Sequence, residues 1–108
     1  VKSYDTRAMA KSVADSVGDG GVLVSLQNGL GNVDAVAEIA GPVRTLGARV
    51  IFGALCPAPG RVRVTVFAEP NLIGAWRRGD RAFEPAAQAQ ARRLAEVFAA
   101  AALPSEYC

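Results

Sequence analysis

The sequence has no histidine, and that absence takes the imidazole out of any mechanism these residues could assemble. No Ser-His-Asp triad, Cys-His dyad or His-based zinc site can be built from the chain alone. Cysteine is almost as scarce. Cys56 sits in a Pro-rich stretch and Cys108 is the last residue, a pattern that fits neither a secreted disulfide framework nor a Cys-x-x-Cys metal site. A reducing, cytoplasmic setting is the expectation. No apolar run approaches the roughly 18–20 residues that span a bilayer, and the opening residues form neither a signal peptide nor a transit peptide; no membrane partner is expected. A large charge of one sign is also lacking. The 12 Lys+Arg stand against 10 Asp+Glu, scattered along the chain, and leave no footprint for nucleic acid. Lysine itself is rare, since ten of the basic residues are Arg and only Lys2 and Lys11 are Lys.

What remains is a chain of 108 residues and 51% hydrophobic content, enough for one modest core in a single domain. It lacks an initiating Met and opens on Val1-Lys2-Ser3-Tyr4 as though at the end of a strand, so an internal fragment of a longer protein is expected. Asp5-Thr6 offers a helix N-cap, Met9, Val13 and Val17 recur every four residues, and Gly18-Asp19-Gly20-Gly21 supplies a stop, predicting an amphipathic helix over 6–17. Val22-Leu23-Val24-Ser25-Leu26 is the short apolar run of a parallel strand buried on both faces. A short helix follows from Asn32 to Ala40 and closes at Gly41-Pro42. The alternation of strand and helix marks a parallel α/β pattern over 1–47.

Beyond that the character changes. Arg49 to Ala54, Arg61 to Phe67 and Asn71 to Ala75 read as three strands in a region spanning 48–76. The links between them are too short for a parallel crossover, so antiparallel pairing is expected. Arg61 to Val66 alternates strictly, as a strand with one wet face does. The segment 81–103 carries Phe83, Ala87, Ala91, Leu94, Phe98 and Ala101 at helical spacing, with Pro85 in its first turn and Pro104 after its end; it is the longest predicted helix.

A buried strand that stops at Gln27-Asn28-Gly29-Leu30-Gly31 lies where an open α/β sheet binds its ligand, outside the carboxyl ends of its strands. Asn28 offers a donor and an acceptor on one short side chain, suited to a ribose or a carbonyl group. Gly29 and Gly31 permit close approach of a ligand or a backbone with φ > 0. The competing reading is a strand-to-helix turn whose Asn and Gly meet only conformational needs. Gly29 to Asp34 is not the dinucleotide fingerprint, because Asp34 occupies the third glycine position. Lys2, where an earlier parallel strand would finish, should reach the same rim as Asn28, either as a partner for a phosphate or ribose oxygen or as a solvated strand-end lysine. Arg77-Arg78 and Arg92-Arg93 read as solvated faces and receive no role. With no His and no lysine cluster to lower its pKa, Cys56 reads as an inert turn cysteine. No metal site is evident.

The order Lys2-Ser3-Tyr4-Asp5-Thr6, Leu26-Gln27-Asn28-Gly29-Leu30-Gly31-Asn32, Phe52-Gly53-Ala54 and Pro59-Gly60-Arg61-Val62 resembles that of the ketopantoate reductases, or 2-dehydropantoate 2-reductases, over nearly the whole chain. The resemblance implies the later part of a Rossmann-like NAD(P)-binding domain, with parallel strands and helices followed by antiparallel strands and a long closing helix. It implies hydride transfer from NADPH to the 2-keto group of ketopantoate, with a homo-oligomeric parent enzyme as a further expectation. It also implies cofactor contacts from Lys2, Asn28 and Ala54, with Gly53 as the alternative to Ala54, and places Asn28 next to the substrate. The phosphate-binding glycine loop is expected before Val1 and the catalytic lysine after Cys108, leaving no catalytic residue within the chain. Two rivals stay open: a reductase of another 2-keto acid, and a non-catalytic nucleotide-binding or oligomerisation module.

Overall fold

The computed structural model describes residues 2–108; Val1, read above as the end of an earlier strand, lies outside them. A single 3-10 turn, Ser3–Asp5, leads into α1, Thr6–Val17. Asp5 precedes the helix as expected, but it is itself in a helical conformation (φ −96°, ψ −6°) and its side chain caps nothing. Gly18 ends α1 at φ +69°. The strand β1, Leu23–Ser25, and the helix α2, Asn32–Ala40, follow, with Gly31 at φ +81° turning the chain from one into the other. A second 3-10 turn, Pro42–Arg44, delivers the chain to β2, Thr45–Arg49.

At this point the structure departs from the expected single strand over 49–54. β2 ends at Arg49, and β3, Phe52–Ala58, begins a separate hairpin with β4, Arg61–Phe67. From Leu46 to Ala54 only Arg49 interrupts the apolar signal, which both strands carry, and the corner at Val50-Ile51 has no Gly or Pro to betray it. The hairpin turn is Pro59-Gly60, with Gly60 at φ +75°; proline at the first corner and a left-handed glycine at the second are what a type II turn needs. Cys56 therefore lies in a strand rather than a turn, exposed, its thiol 3.3 Å from the Ala58 carbonyl oxygen.

The chain re-enters the main sheet as β5, Asn71–Ala75, crosses it as α3, Pro85–Ala100, and finishes with β6, Ser105–Tyr107. The order is β1-β2-β5-β6, with β1 parallel to β2, β2 antiparallel to β5 and β5 parallel to β6. One face packs against α3. Leu46 and Ile73, both fully buried, meet Ala87, Ala91 and Ala95, and Val22, Val24, Leu94, Phe98 and Tyr107 close around them. The small α3 residues let the helix lie close to the sheet. The other face is covered at the β1 end by α1 and α2 through Ala10, Leu23 and Val36. α1 turns Thr6, Ala10 and Val13 inward, whereas Met9 and Val17 of the expected apolar stripe are partly exposed along a cavity of about 400 Å³ that follows β1. No helix is long and apolar enough to cross a membrane among the described residues.

The closing helix is shorter than the 81–103 expected. Pro85 takes its first position and forces Glu84 into an extended conformation (ψ 122°), so Phe83 lies outside the helix under the Arg77 guanidinium. At the other end Ala102 N–H donates to Ala99 O at 3.1 Å and Leu103 N–H to Phe98 O at 2.9 Å, the paired bonds of a Schellman stop. Ala102 adopts φ +61°, the one non-glycine with positive φ among the described residues. The three-residue β6 carries no apolar pattern and was not predicted. It is held by Asn71 Nδ2 to Ser105 Oγ (3.2 Å), by Gln88 Nε2 to Tyr107 OH (3.2 Å), and by Arg92 stacked 4.1 Å above the Tyr107 ring. A left-handed alanine costs about 1–2 kcal/mol that glycine does not. Ala102→Gly is thus expected to stabilise the chain by about 1 kcal/mol in urea denaturation, and a lowered midpoint would contradict this account of the helix end.

Candidate functional site

The turn after β1 is built on one buried side chain. Asn32, the first residue of α2 and 4% exposed, sends Nδ2 back to the carbonyl oxygen of Asn28 at 2.8 Å and across to Ser3 Oγ at 3.2 Å. Its Oδ1 faces the Thr6 hydroxyl at 3.2 Å, and that same hydroxyl stands 3.0 Å from Gln27 Oε1. Thr6 is also buried, at 3%, so its one hydrogen bridges two amide oxygens in a dry setting, where such bonds are strong and their loss is costly. Four side chains, Ser3, Thr6, Gln27 and Asn32, thereby join the start of α1, the end of β1 and the start of α2.

This lattice fixes the turn that carries Asn28. Gly29 stands at φ +97° and Gly31 at φ +81°, conformations that disfavour any residue with a Cβ. A side chain at Gly29 would lean toward Asn32 Nδ2 and Ser3 Oγ, whereas the space outside Gly31 is open. The Asn28 carboxamide is exposed, and among the described residues it makes no hydrogen bond. Its backbone is held and its side chain is free. Lys2 is in the same state. Extended (φ −80°, ψ 158°), it gives its carbonyl oxygen to Asp5 N–H at 2.9 Å and leaves its ammonium exposed, outside both ion pairs found among the described residues. The Ser3–Asn32–Asn28 bridge brings the Lys2 and Asn28 backbones to one rim.

Ala54 is not part of that lattice. It lies exposed in β3, paired with Val64 beside an irregularity in the register, on a hairpin whose sheet is separate from that of β1. Gly53, the alternative, has a structural duty of its own, since a Cβ there would come within 2.8 Å of Thr65 Oγ1. Asn32 and Thr6 are the positions that sequence reasoning missed. The signal was available: both are short polar residues at places where helical spacing turns inward, which demands partners. The cavity along β1 is the roomier feature, but apart from Thr6, Ser25 and Gln27 its lining is Met9, Ala10, Val13, Val17 and other apolar residues. It offers packing surface, and the free polar groups are at the turn. Among the described residues no cluster of His, Cys, Asp or Glu could hold a metal ion.

An α/β sheet with a parallel strand pair and a glycine turn beyond its first strand marks a Rossmann-like domain. The family model described as ketopantoate reductase PanE/ApbA matches residues 1–78, and the chain belongs to that oxidoreductase family. It is 34% identical to a 2-dehydropantoate 2-reductase of Aquifex aeolicus over 110 aligned residues, covering 99% of this chain and 33% of the relative. Over 54 residues it is 44% identical to the enzyme of the same name from Archaeoglobus fulgidus, covering 46% of the chain and 18% of that protein. A crystal structure assigned as a 2-dehydropantoate 2-reductase from Enterococcus faecalis superposes with a TM-score of 0.76 at 21% identity, covering the whole of this chain and 32% of the other; it supports the fold. The chain spans about a third of the length of the Aquifex and Enterococcus proteins.

The lattice and the rim should separate experimentally. Asn32→Ala strands the Asn28 carbonyl, leaves the Thr6 hydroxyl with Gln27 alone and is expected to cost about 2 kcal/mol in urea denaturation. Asn28→Ala, which removes an exposed and unpaired group, should change stability by less than about 0.5 kcal/mol. Equal costs would show that the buried amide does not hold the turn.

Proposed function

We propose that the chain forms the rear wall of the cofactor cleft in an NADPH-dependent 2-dehydropantoate 2-reductase. The observation that carries this reading is the Asn28 carboxamide, free and exposed on a turn that a buried asparagine holds rigid, in a chain of this family. The residues suit a dinucleotide. Gly31 leaves open space for a flat group, Asn28 can both donate and accept toward a ribose or nicotinamide amide, and Lys2 can meet a phosphate or ribose oxygen with its charge. The family resemblance adds Ala54, small and exposed on the hairpin, as a further cofactor contact. When bound, NADPH supplies the hydride that reduces the 2-keto carbon of ketopantoate to give pantoate.

The chain's own contribution is positional. Asn32 and Thr6 fix the backbone under Asn28, so that its amide meets cofactor and substrate without first losing rotational freedom in the backbone beneath it, which is how prepaid orientation lowers a barrier. Proton delivery to the new alkoxide belongs to a lysine outside these residues, and the phosphate loop also lies outside them. By itself the 108-residue chain is therefore inactive and binds NADPH weakly.

In the full-length gene product, Lys2→Ala should raise KM for NADPH about ten- to hundredfold, as expected for a lost charge-assisted bond. Asn28→Ala should lower kcat/KM about tenfold, as for a neutral bond. Unchanged kinetics in both variants would remove the two residues from the site. Turnover of another 2-keto acid in preference to ketopantoate would keep the fold and cofactor and replace the substrate.

A further inference from the structure

The loop after β5 gathers three arginines around a cavity for which the reductase reading has no use. Trp76 N–H bonds to Thr45 O at 3.2 Å, at the start of β2. Because β5 runs antiparallel to β2, residues 76–81 stand at the amino-end rim of β1 and β2, opposite the Asn28 turn. Here Arg77, Arg78 and Arg81 line a cavity of about 190 Å³ together with Trp76, Pro42 and Glu84. Both neighbouring guanidiniums are held by rings, Arg77 at 4.9 Å from the Phe83 centroid and Arg78 at 5.7 Å from that of Trp76. Stacking of this kind orients a guanidinium while leaving its in-plane N–H groups to donate. Among the described residues none of the three takes part in a side-chain hydrogen bond or a salt bridge. Acids also stand nearby: Asp34 accepts from the uncharged Trp76 Nε1–H at 2.8 Å, Asp80 lies in the same loop, and Glu38 is hydrogen-bonded to Arg7, which with a smaller contribution from Arg78 holds its carboxyl below the usual range. Glu84 is the one carboxylate in the lining.

We infer that this cavity is a second ligand site, for the phosphate or pyrophosphate group of a small molecule. The lining sets three guanidiniums against one carboxylate, and planar N–H forks match the oxygens of a phosphate. The volume is below the roughly 300 Å³ at which pockets begin to enclose an organic ligand. It therefore encloses the anionic group and leaves the rest of the molecule outside, against the Trp76 ring.

Trp76 is the sole tryptophan and reports directly on the site. The 108-residue chain, titrated with sodium pyrophosphate and with inorganic phosphate at constant ionic strength, should show a saturable change in tryptophan fluorescence, tighter for pyrophosphate. Arg78→Ala and Arg81→Ala should each weaken binding about tenfold. Glu84→Gln should strengthen it, and Arg93→Ala, an equal loss of charge from an exposed position on α3, should leave it unchanged. Far-UV circular dichroism verifies that each variant keeps its fold. No saturable signal by fluorescence or calorimetry would overturn the proposal. So would an Arg93→Ala loss equal to that of Arg81→Ala, which would show only diffuse attraction, or a Glu84→Gln variant that binds no better. The outcome is independent of the reductase assay, since none of these residues belongs to the Asn28 rim.

Discussion

A single buried carboxamide, that of Asn32, ties the turn after β1 to the entry of α1. Two pieces of chain converge on it: Ser3 and Thr6 at the entry to α1, some 26–29 residues away in sequence, and the backbone of the Gln27–Gly31 turn. Buried amides are stable only when their donors and acceptors are met, and here the partners come from Ser3, Thr6 and Asn28. The packing of α1 beside α2, through Ala10 and Val36, sets those partners in reach. Core packing and polar satisfaction thus specify the same arrangement, and the glycines at 29 and 31 allow the backbone to comply.

Much of this arrangement was readable from residue order. The four-residue spacing in α1, the nearly continuous apolar run Val22–Leu26 and the glycine stops each carry a local physical signal, and each marks a real element. Where the reading failed, the deciding contact is non-local. The corner at Val50-Ile51 is made by two sheets competing for one apolar stretch, and β6 exists because α3 delivers Ser105–Tyr107 alongside β5. Neither fact is written in a window of neighbouring residues. The site was half legible for the same reason. Asn28 was visible as a polar residue at a strand end, but Thr6 and Asn32 looked like the ordinary first residues of two helices, and only their convergence reveals them as the support.

The two rims of the main sheet differ in kind. At the carboxyl end of β1 the polar groups are few, neutral apart from Lys2, and mounted on backbone that cannot shift without breaking buried bonds. At the opposite rim the loop carries Arg77, Arg78 and Arg81 together with Asp80, and Arg77 and Arg78 are steadied by Phe83 and Trp76 rather than by hydrogen bonds. The first suits a ligand whose position must be accurate, the second one held chiefly by its charge, with correspondingly greater sensitivity to salt.

The sheet also has two unlike edges. β6 presents Ser105, Glu106 and Tyr107, whereas β1 presents Leu23, Val24 and Ser25 beside the apolar cavity of Met9, Val13 and Val17. A border that carries a charge discourages an added strand and an apolar one invites it, so of the two borders among the described residues it is the one along β1 that is receptive.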